Sequence, residues 1–155
     1  MESRPQQVMD ALRRIVQAIR LSSAQSERAS GLTAAQVLVL RHVHASAGLS
    51  INDLAAVTLT HQSTVSEVVG RLEAKGLLVR GRSAEDGRRR EVQLTDKGAA
   101  LLKATGRTFQ ETLMEALDGL PPKSLEGLAD GLGALIDAAG LGAAAAPMFL
   151  EDDGN

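Results

Sequence analysis

Apolar residues recur along most of the chain at the three- and four-residue steps of a helix, and give way to alternation over one stretch only. Val8, Leu12, Ile15 and Ile19 share a stripe, which predicts an amphipathic helix from roughly Gln6 to Ser26 that Gly31 ends or follows. Thr33-Ala34-Ala35-Gln36 has the form of a capping box, with the hydroxyl accepting from a free backbone N–H and the glutamine reaching back. The helix it opens carries Val37, Leu40 and Val43 inward and stops near Ala47-Gly48. Ser50 as N-cap and Asp53 in the first turn, where the helix dipole favours an acid, predict a short third helix that ends near Thr58. A fourth helix opens near Thr60 with Val65, Val69 and Leu72 on one side. Its other face is polar: His61, Gln62, Ser63, Thr64, Ser66, Glu67 and Arg71. Gly76 stands where a left-handed cap would close it.

The period then changes. Leu77-Leu78-Val79-Arg80-Gly81-Arg82 and Glu91-Val92-Gln93-Leu94 read as strands, and Asp86-Gly87 between them is a turn dipeptide, so the pair predicts a β-hairpin with an arginine-rich tip. From Thr95-Asp96-Lys97-Gly98 the helical step returns, and Leu102, Phe109, Leu113 and Leu117 predict one helix running to Leu120, where Pro121-Pro122 breaks it. Leu125, Leu128, Leu132, Leu135 and Ile136 form a last amphipathic helix, interrupted by Gly127, Gly131 and Gly133. Close helix packing and frayed structure both account for such glycines. Residues 141–155, Ala-rich and then acidic, read as a weakly ordered tail whose Met148-Phe149-Leu150 can dock on the body or on a partner chain.

A length of 155 residues suits one domain. No apolar run approaches the roughly 18 residues of a membrane span, and Met1-Glu2-Ser3-Arg4-Pro5 lacks a signal-peptide apolar segment, so a soluble, cytoplasmic protein with no membrane partner is expected. With no cysteine, disulfides, thiolate metal sites and thiol chemistry are excluded. Two Phe with no Trp or Tyr leave the core to aliphatic side chains, which points toward helices.

The net charge of −2 conceals a segregation. Between Arg71 and Arg90 seven basic residues face three acidic ones, a local +4, and the rest of the chain carries ten basic and sixteen acidic, or −6. A solvated charged loop and a polyanion-binding face both fit such a run. Two short helices followed by an arginine-tipped hairpin is the organisation of a winged helix-turn-helix. The fourth helix fits a major groove, and His61, Gln62, Ser63, Thr64 and Ser66 near its start are candidate base or phosphate contacts, with Arg71 further along. Arg82, Arg88, Arg89 and Arg90 are candidates for the wing, whose tip could insert a guanidinium into a narrow minor groove. Asp86 is read as a counter-charge that fixes an arginine in the tip.

From Leu32 to Gly98 the chain resembles the multiple-antibiotic-resistance-regulator (MarR) family of bacterial winged-helix transcription factors. The matching stretches are Leu32-Thr33-Ala34-Ala35-Gln36, Gly48-Leu49-Ser50, Asp53-Leu54-Ala55, Ser63-Thr64-Val65-Ser66, Arg71-Leu72-Glu73-Ala74-Lys75-Gly76-Leu77, Asp86-Gly87-Arg88 and Leu94-Thr95-Asp96-Lys97-Gly98. The resemblance implies a mainly α fold with a small β-hairpin wing: a winged helix-turn-helix over 33–98, flanked by dimerisation helices over 6–28 and 99–140. It implies a homodimer on a double-stranded, pseudo-palindromic DNA operator, usually repressing transcription, with a small molecule changing the spacing of the two recognition helices. It implies further that Arg88 enters the minor groove and that Asp86 pairs within the wing, although Arg89 and Arg90 extend the tip and Gly87 replaces the basic residue often found there.

For a small anionic or apolar effector, Arg20, Arg41, His42 and His44 are the candidate contacts, with a solvent-facing role as the competing reading of each. His42 and His44, two apart, point to different faces of a helix and make a poor metal pair, and no cofactor is expected. His61, Ser63, Ser66 and Glu67 contain the residue types of a hydrolytic triad, but all lie within two turns of one helix. Beside the expected regulator, the alternatives are a winged-helix protein-interaction module without DNA binding and a small hydrolase.

Overall fold

A computed structural model describes residues 1–142 and 146–149 of the chain. In order, the elements are α1 (Arg4–Ser30), α2 (Ala34–Ala45), α3 (Ile51–Val57), α4 (Gln62–Ala74), β1 (Leu78–Arg82), β2 (Arg90–Leu94), α5 (Asp96–Leu102), α6 (Phe109–Asp118) and α7 (Pro122–Ala138). None of the described helices is long and apolar enough to cross a membrane.

Local sequence sets most of the starts. Ser3 with Gln6, Thr33 with Gln36, Ser50 with Asp53 and Thr108 with Glu111 each form a reciprocal capping box, and the Thr95 hydroxyl accepts from Gly98 N–H at 3.0 Å. Backbone handedness sets some of the ends. Gly31 closes α1 at φ +71°, and Gly76, also at φ +71°, follows α4 and turns the chain into β1. Between α3 and α4 the left-handed residue is Leu59, at φ +53°, which costs about 1 kcal/mol in a residue with a Cβ. Two hydrogen bonds hold that turn: Thr60 N–H to the Ala55 carbonyl at 3.0 Å, and the Thr58 hydroxyl to the Leu54 carbonyl at 2.6 Å.

The core sits around α2. Residues 32–40 are buried without interruption, so α2 is wrapped on all sides, not only on the Val37–Leu40–Val43 stripe that the sequence suggests. Leu54 from α3, Val65, Val68, Val69 and Leu72 from α4, Leu77 and Leu78 at the start of β1, Val92 of β2 and Leu102 of α5 close over it. No aromatic side chain takes part. Burying each such Val or Leu stabilises the fold by about 1.5–3 kcal/mol before entropy is counted. The hairpin is a two-stranded antiparallel sheet in the register Leu78↔Leu94, Arg80↔Val92 and Arg82↔Arg90. It is fastened by Val92 N–H to the Leu49 carbonyl at 2.8 Å and by Thr95 N–H to the Leu77 carbonyl at 3.1 Å. Gly98 makes the second junction possible, since a Cβ there would lie 2.2 Å from the Leu77 carbonyl oxygen.

Three expectations are corrected. The single helix predicted from Thr95 to Leu120 is two, because the chain leaves the helix after Leu102 and restarts at Thr108, whose hydroxyl and backbone N–H are both taken up by Glu111. The glycines of α7 do not interrupt it, and nothing in the described chain lies within 4 Å of a Cβ built at Gly127, Gly131 or Gly133. Part of the tail read as weakly ordered is docked: Met148 is buried in the core, and the Thr64 hydroxyl donates to the Ala146 carbonyl at 3.3 Å. Leu150 and the acidic end lie outside the described residues.

α1 and α7 differ from the rest. Val8, Met9, Ile15 and Val16 on α1, and Leu125, Leu128, Leu132, Leu135 and Ile136 on α7, are exposed along one face of each helix, and α7 buries none of its residues within this chain.

Candidate nucleic-acid interface

Helix α4 presents its polar face because its other side is committed to the core. Val65, Val68, Val69 and Leu72 are fully buried, which turns His61, Gln62, Ser63 and Glu67 to solvent and leaves Ser66 and Arg71 half-buried. Thr64 does not belong with them. It is buried on the inner side, one turn before Val68, and its hydroxyl donates to the Ala146 carbonyl, so it is withdrawn from the exposed polar face. His61 is the N-cap of α4 but makes no capping hydrogen bond, whereas Ser3, Thr33, Ser50, Thr95 and Thr108 all cap their helices. The first N–H groups of α4 therefore lack the side-chain acceptor that those helices have, in the place where an anion is best received.

The wing sorts its arginines into two sets. Arg80 and Arg89 are structural. Arg80 Nε pairs with Glu73 Oε2 at 2.9 Å, its backbone N–H donates to Glu73 Oε1 at 3.1 Å and its guanidinium to the Ser66 carbonyl at 3.3 Å, which clamps β1 to α4. Arg89 reaches back to α3, donating to Asp53 Oδ2 at 2.5 Å and to the Gly48 carbonyl at 3.3 Å. The same Asp53 oxygen accepts from the Ser50 N–H and hydroxyl, both at 2.8 Å, so one carboxylate caps α3 and anchors the wing. These bonds hold its carboxyl below the usual carboxylate range: the Ser50 N–H contributes most, then the Ser50 hydroxyl, with Arg89 adding to them and burial opposing.

Arg82, Arg88 and Arg90 form the second set. All three are exposed, and among the described residues none makes an ion pair or hydrogen bond through its side chain. Arg82 and Arg90 stand directly opposite each other across the ladder, a like-charge pair that destabilises an isolated sheet. Arg88 lies at the tip. Its backbone N–H donates to Asp86 Oδ1 at 3.0 Å, while the Ser83 hydroxyl accepts from the N–H groups of Glu85 and Asp86, both at 3.2 Å. Asp86 thus shapes the wing through the Arg88 backbone; next to the tip the arginine fixed by an acid is Arg89, and the acid is Asp53.

The four residues read as effector contacts separate. Arg41 is a strut, its Nε 2.6 Å from Glu111 Oε1 and its guanidinium donating to the Gly106 carbonyl at 2.7 Å and to the Thr105 hydroxyl at 3.3 Å, so it ties α2 to the break between α5 and α6. His42 is half-buried next to it. Burial lowers its pKa, Glu111 opposes the shift and Arg41 adds to it. His44 is exposed at the end of α2, and Arg20 lies with Met9, Leu12 and Val16 along an open groove on α1. No hydrogen bond or ion pair joins these four, or His61 with Ser63, Ser66 or Glu67, among the described residues. Nor do three metal-binding side chains converge there.

Asp53, Glu73 and Arg80 were not singled out by the sequence as parts of the site. The Ser50-x-x-Asp53 spacing signals the cap, but the arginine that shares the carboxylate is 36 positions away, and nothing in the spacing of Glu73 and Arg80 reports that a turn folds one over the other.

A buried α2 supporting the α3–α4 corner, with a hairpin fastened to both, defines a winged helix-turn-helix protein. Residues 30–89 match the model of the MarR family. The HTH-type transcriptional regulator Hpr of Shouchella clausii is 36% identical over 81 residues, 52% of this chain and 41% of its own length. Hpr of Geobacillus thermodenitrificans is 33% identical over 81 residues, 52% of this chain and 40% of its own. The chain thus spans about two fifths of the length of the curated relatives it matches. Among solved structures, BpsR of Bordetella bronchiseptica, described for the regulation of its DNA binding by 6-hydroxynicotinic acid, is 28% identical, covering 88% of this chain and 98% of that one at a TM-score of 0.57. A MepR mutant of S. aureus bound to an oligodeoxyribonucleotide is 25% identical, covering 85% of this chain and 97% of that one at a TM-score of 0.52. Over residues 30–89 the chain is thus similar to the MarR family.

Proposed function

We propose that this protein is a sequence-specific DNA-binding transcriptional regulator, a homodimeric repressor whose two winged domains read the halves of a pseudo-palindromic operator. The observation that carries the reading is the sorting of the wing arginines. Glu73 and Asp53 neutralise the two that hold the wing, and Arg82, Arg88 and Arg90 are left exposed, two of them in a like-charge pair that favours a polyanion. With α4 in the major groove, Gln62, Ser63 and Ser66 face base edges, His61 and Arg71 the backbone, and Arg88 the adjacent minor groove. The DNA complex of MepR and the ligand-regulated DNA binding of BpsR support the same roles here.

The dimer rests on the apolar residues left exposed in this chain, Val8, Met9, Ile15 and Val16 on α1 and Leu125, Leu128, Leu132, Leu135 and Ile136 on α7. In this reading 6–28 and 99–140 supply the dimerisation helices around a 33–98 reading domain. A small anionic or apolar effector acts at their junction, through aliphatic walls and cations such as Arg20, with Arg41 reserved as a strut. A gel-shift with the DNA flanking the gene tests the proposal. Retardation by a specific fragment that survives excess unrelated duplex is expected, and equal affinity for every duplex, or none, would overturn it.

A further inference from the structure

Four residues beyond the last helix, 146–149, are tied to the back of α4. Met148 is buried in the core, the Ala146 carbonyl accepts from the Thr64 hydroxyl at 3.3 Å, and Phe149 lies alongside, half-exposed. They wall a cavity of about 460 Å³ together with Leu59, Thr60, His61 and Gln110. Two further oddities meet at this corner. Leu59 is the described non-glycine residue with positive φ, and the Gln110 side-chain carbonyl is buried without a hydrogen-bond partner.

We propose that residues 146–149 are an intramolecular strap that sets the position of the first turn of α4 relative to α6, with Met148 and Thr64 as positioning residues for DNA binding. The proposal rests on the DNA-binding reading above. Thr64 is on the inner side of α4, away from the exposed Ser63 and Glu67, so the strap backs the helix and leaves its polar face open. Its effect is therefore to favour DNA binding by holding α4 in place, not to block it. Its hold is modest, with one buried methionine and one long hydrogen bond set against an unpaired Gln110 carbonyl that water would satisfy once the corner opened. Such a balance permits release as well as docking.

The test uses the absence of Trp and Tyr from the chain. In the full-length protein, Phe149→Trp supplies the sole indole. Its emission is expected to shift to the red, with greater acrylamide quenching, when Met148→Ser is added, and to stay unchanged with Met148→Leu. In fluorescence anisotropy with the retarded duplex, Met148→Ser and Thr64→Val, each without the tryptophan, should bind about five- to ten-fold more weakly, and Met148→Leu as the parent does. Thr64→Val keeps the buried volume, so it decides the matter if Met148→Ser fails to fold. An indole that is solvent-exposed in the parent and indifferent to Met148→Ser would overturn the strap. Unchanged DNA affinity in Thr64→Val would overturn its coupling to α4. Failure of the parent protein to bind any DNA would sink the regulator reading and the coupling with it, while the emission still reports on docking.

Discussion

Breaking the contact between Asp53 and Arg89 separates holding the wing from touching DNA. Arg89→Ala removes the 2.5 Å pair to Asp53 and the 3.3 Å bond to the Gly48 carbonyl. The two side chains are 48% and 39% exposed, so the pair is of surface type and worth about 0.5–1 kcal/mol, and the whole substitution should cost about 1 kcal/mol. Asp53→Ala loses the same pair and also the reciprocal cap of α3, for about 2 kcal/mol in all. In a double-mutant cycle followed by urea unfolding, the coupling should be about 0.5–1 kcal/mol, and each kcal/mol should lower Tm by about 2–4 °C. Acid adds a second reading. The folded carboxyl of Asp53 titrates below its unfolded value, so its contribution is complete above that unfolded value, near pH 4, and is lost as pH falls through the folded one. The gap between wild type and Asp53→Ala should therefore narrow in acid below about pH 4. Zero coupling, with full stability in Arg89→Ala, would refute the anchoring and return Arg89 to the arginines available for DNA.

Three other outcomes follow from the same geometry. Arg88→Ala should leave the melting temperature within a degree or so of wild type, because its exposed side chain makes no hydrogen bond or ion pair among the described residues, and weaken binding to the retarded duplex by about 1–3 kcal/mol in anisotropy titrations; unchanged affinity would remove Arg88 from the interface. Gly98→Ala puts a Cβ against backbone, 2.2 Å from the Leu77 carbonyl, and should cost about 3 kcal/mol in urea unfolding, whereas Gly87→Ala, which meets nothing within 4 Å, should cost little. Leu132→Glu places a charge on the uncovered face of α7, so light scattering should give twice 16.2 kDa for wild type and 16.2 kDa for the variant; a wild-type monomer would contradict the dimer.

The helix starts were legible because capping is local: Thr33 with Gln36 and Ser50 with Asp53 carry their signal within four residues. The hairpin was legible for a similar reason, through Asp86-Gly87 between two alternating runs. What failed did so where periodicity is a poor witness. Leu102 and Phe109 are seven apart and stay in phase across the break, so the hydrophobic stripe hid it, although Thr108-x-x-Glu111 was a visible capping box. By its chemistry Thr64 belongs to the polar face, while its spacing of four from Val68 places it with the core. The roles of Asp53, Arg80 and Arg89 depend on contacts between positions far apart or across a turn, which no local pattern records. Segregation of charge was legible, but which arginines are already neutralised was not.

The measurement that tests DNA recognition most directly is the salt dependence of binding to the retarded fragment, wild type against the Arg82→Ala, Arg88→Ala, Arg90→Ala triple variant. A dimer that neutralises about 8 phosphates should give a slope of log K against log salt near −7, and removing three exposed cations per subunit should flatten it by about 3 to 5. A slope near zero in the wild type, or one that the triple variant leaves unchanged, would contradict the assignment of this wing to DNA.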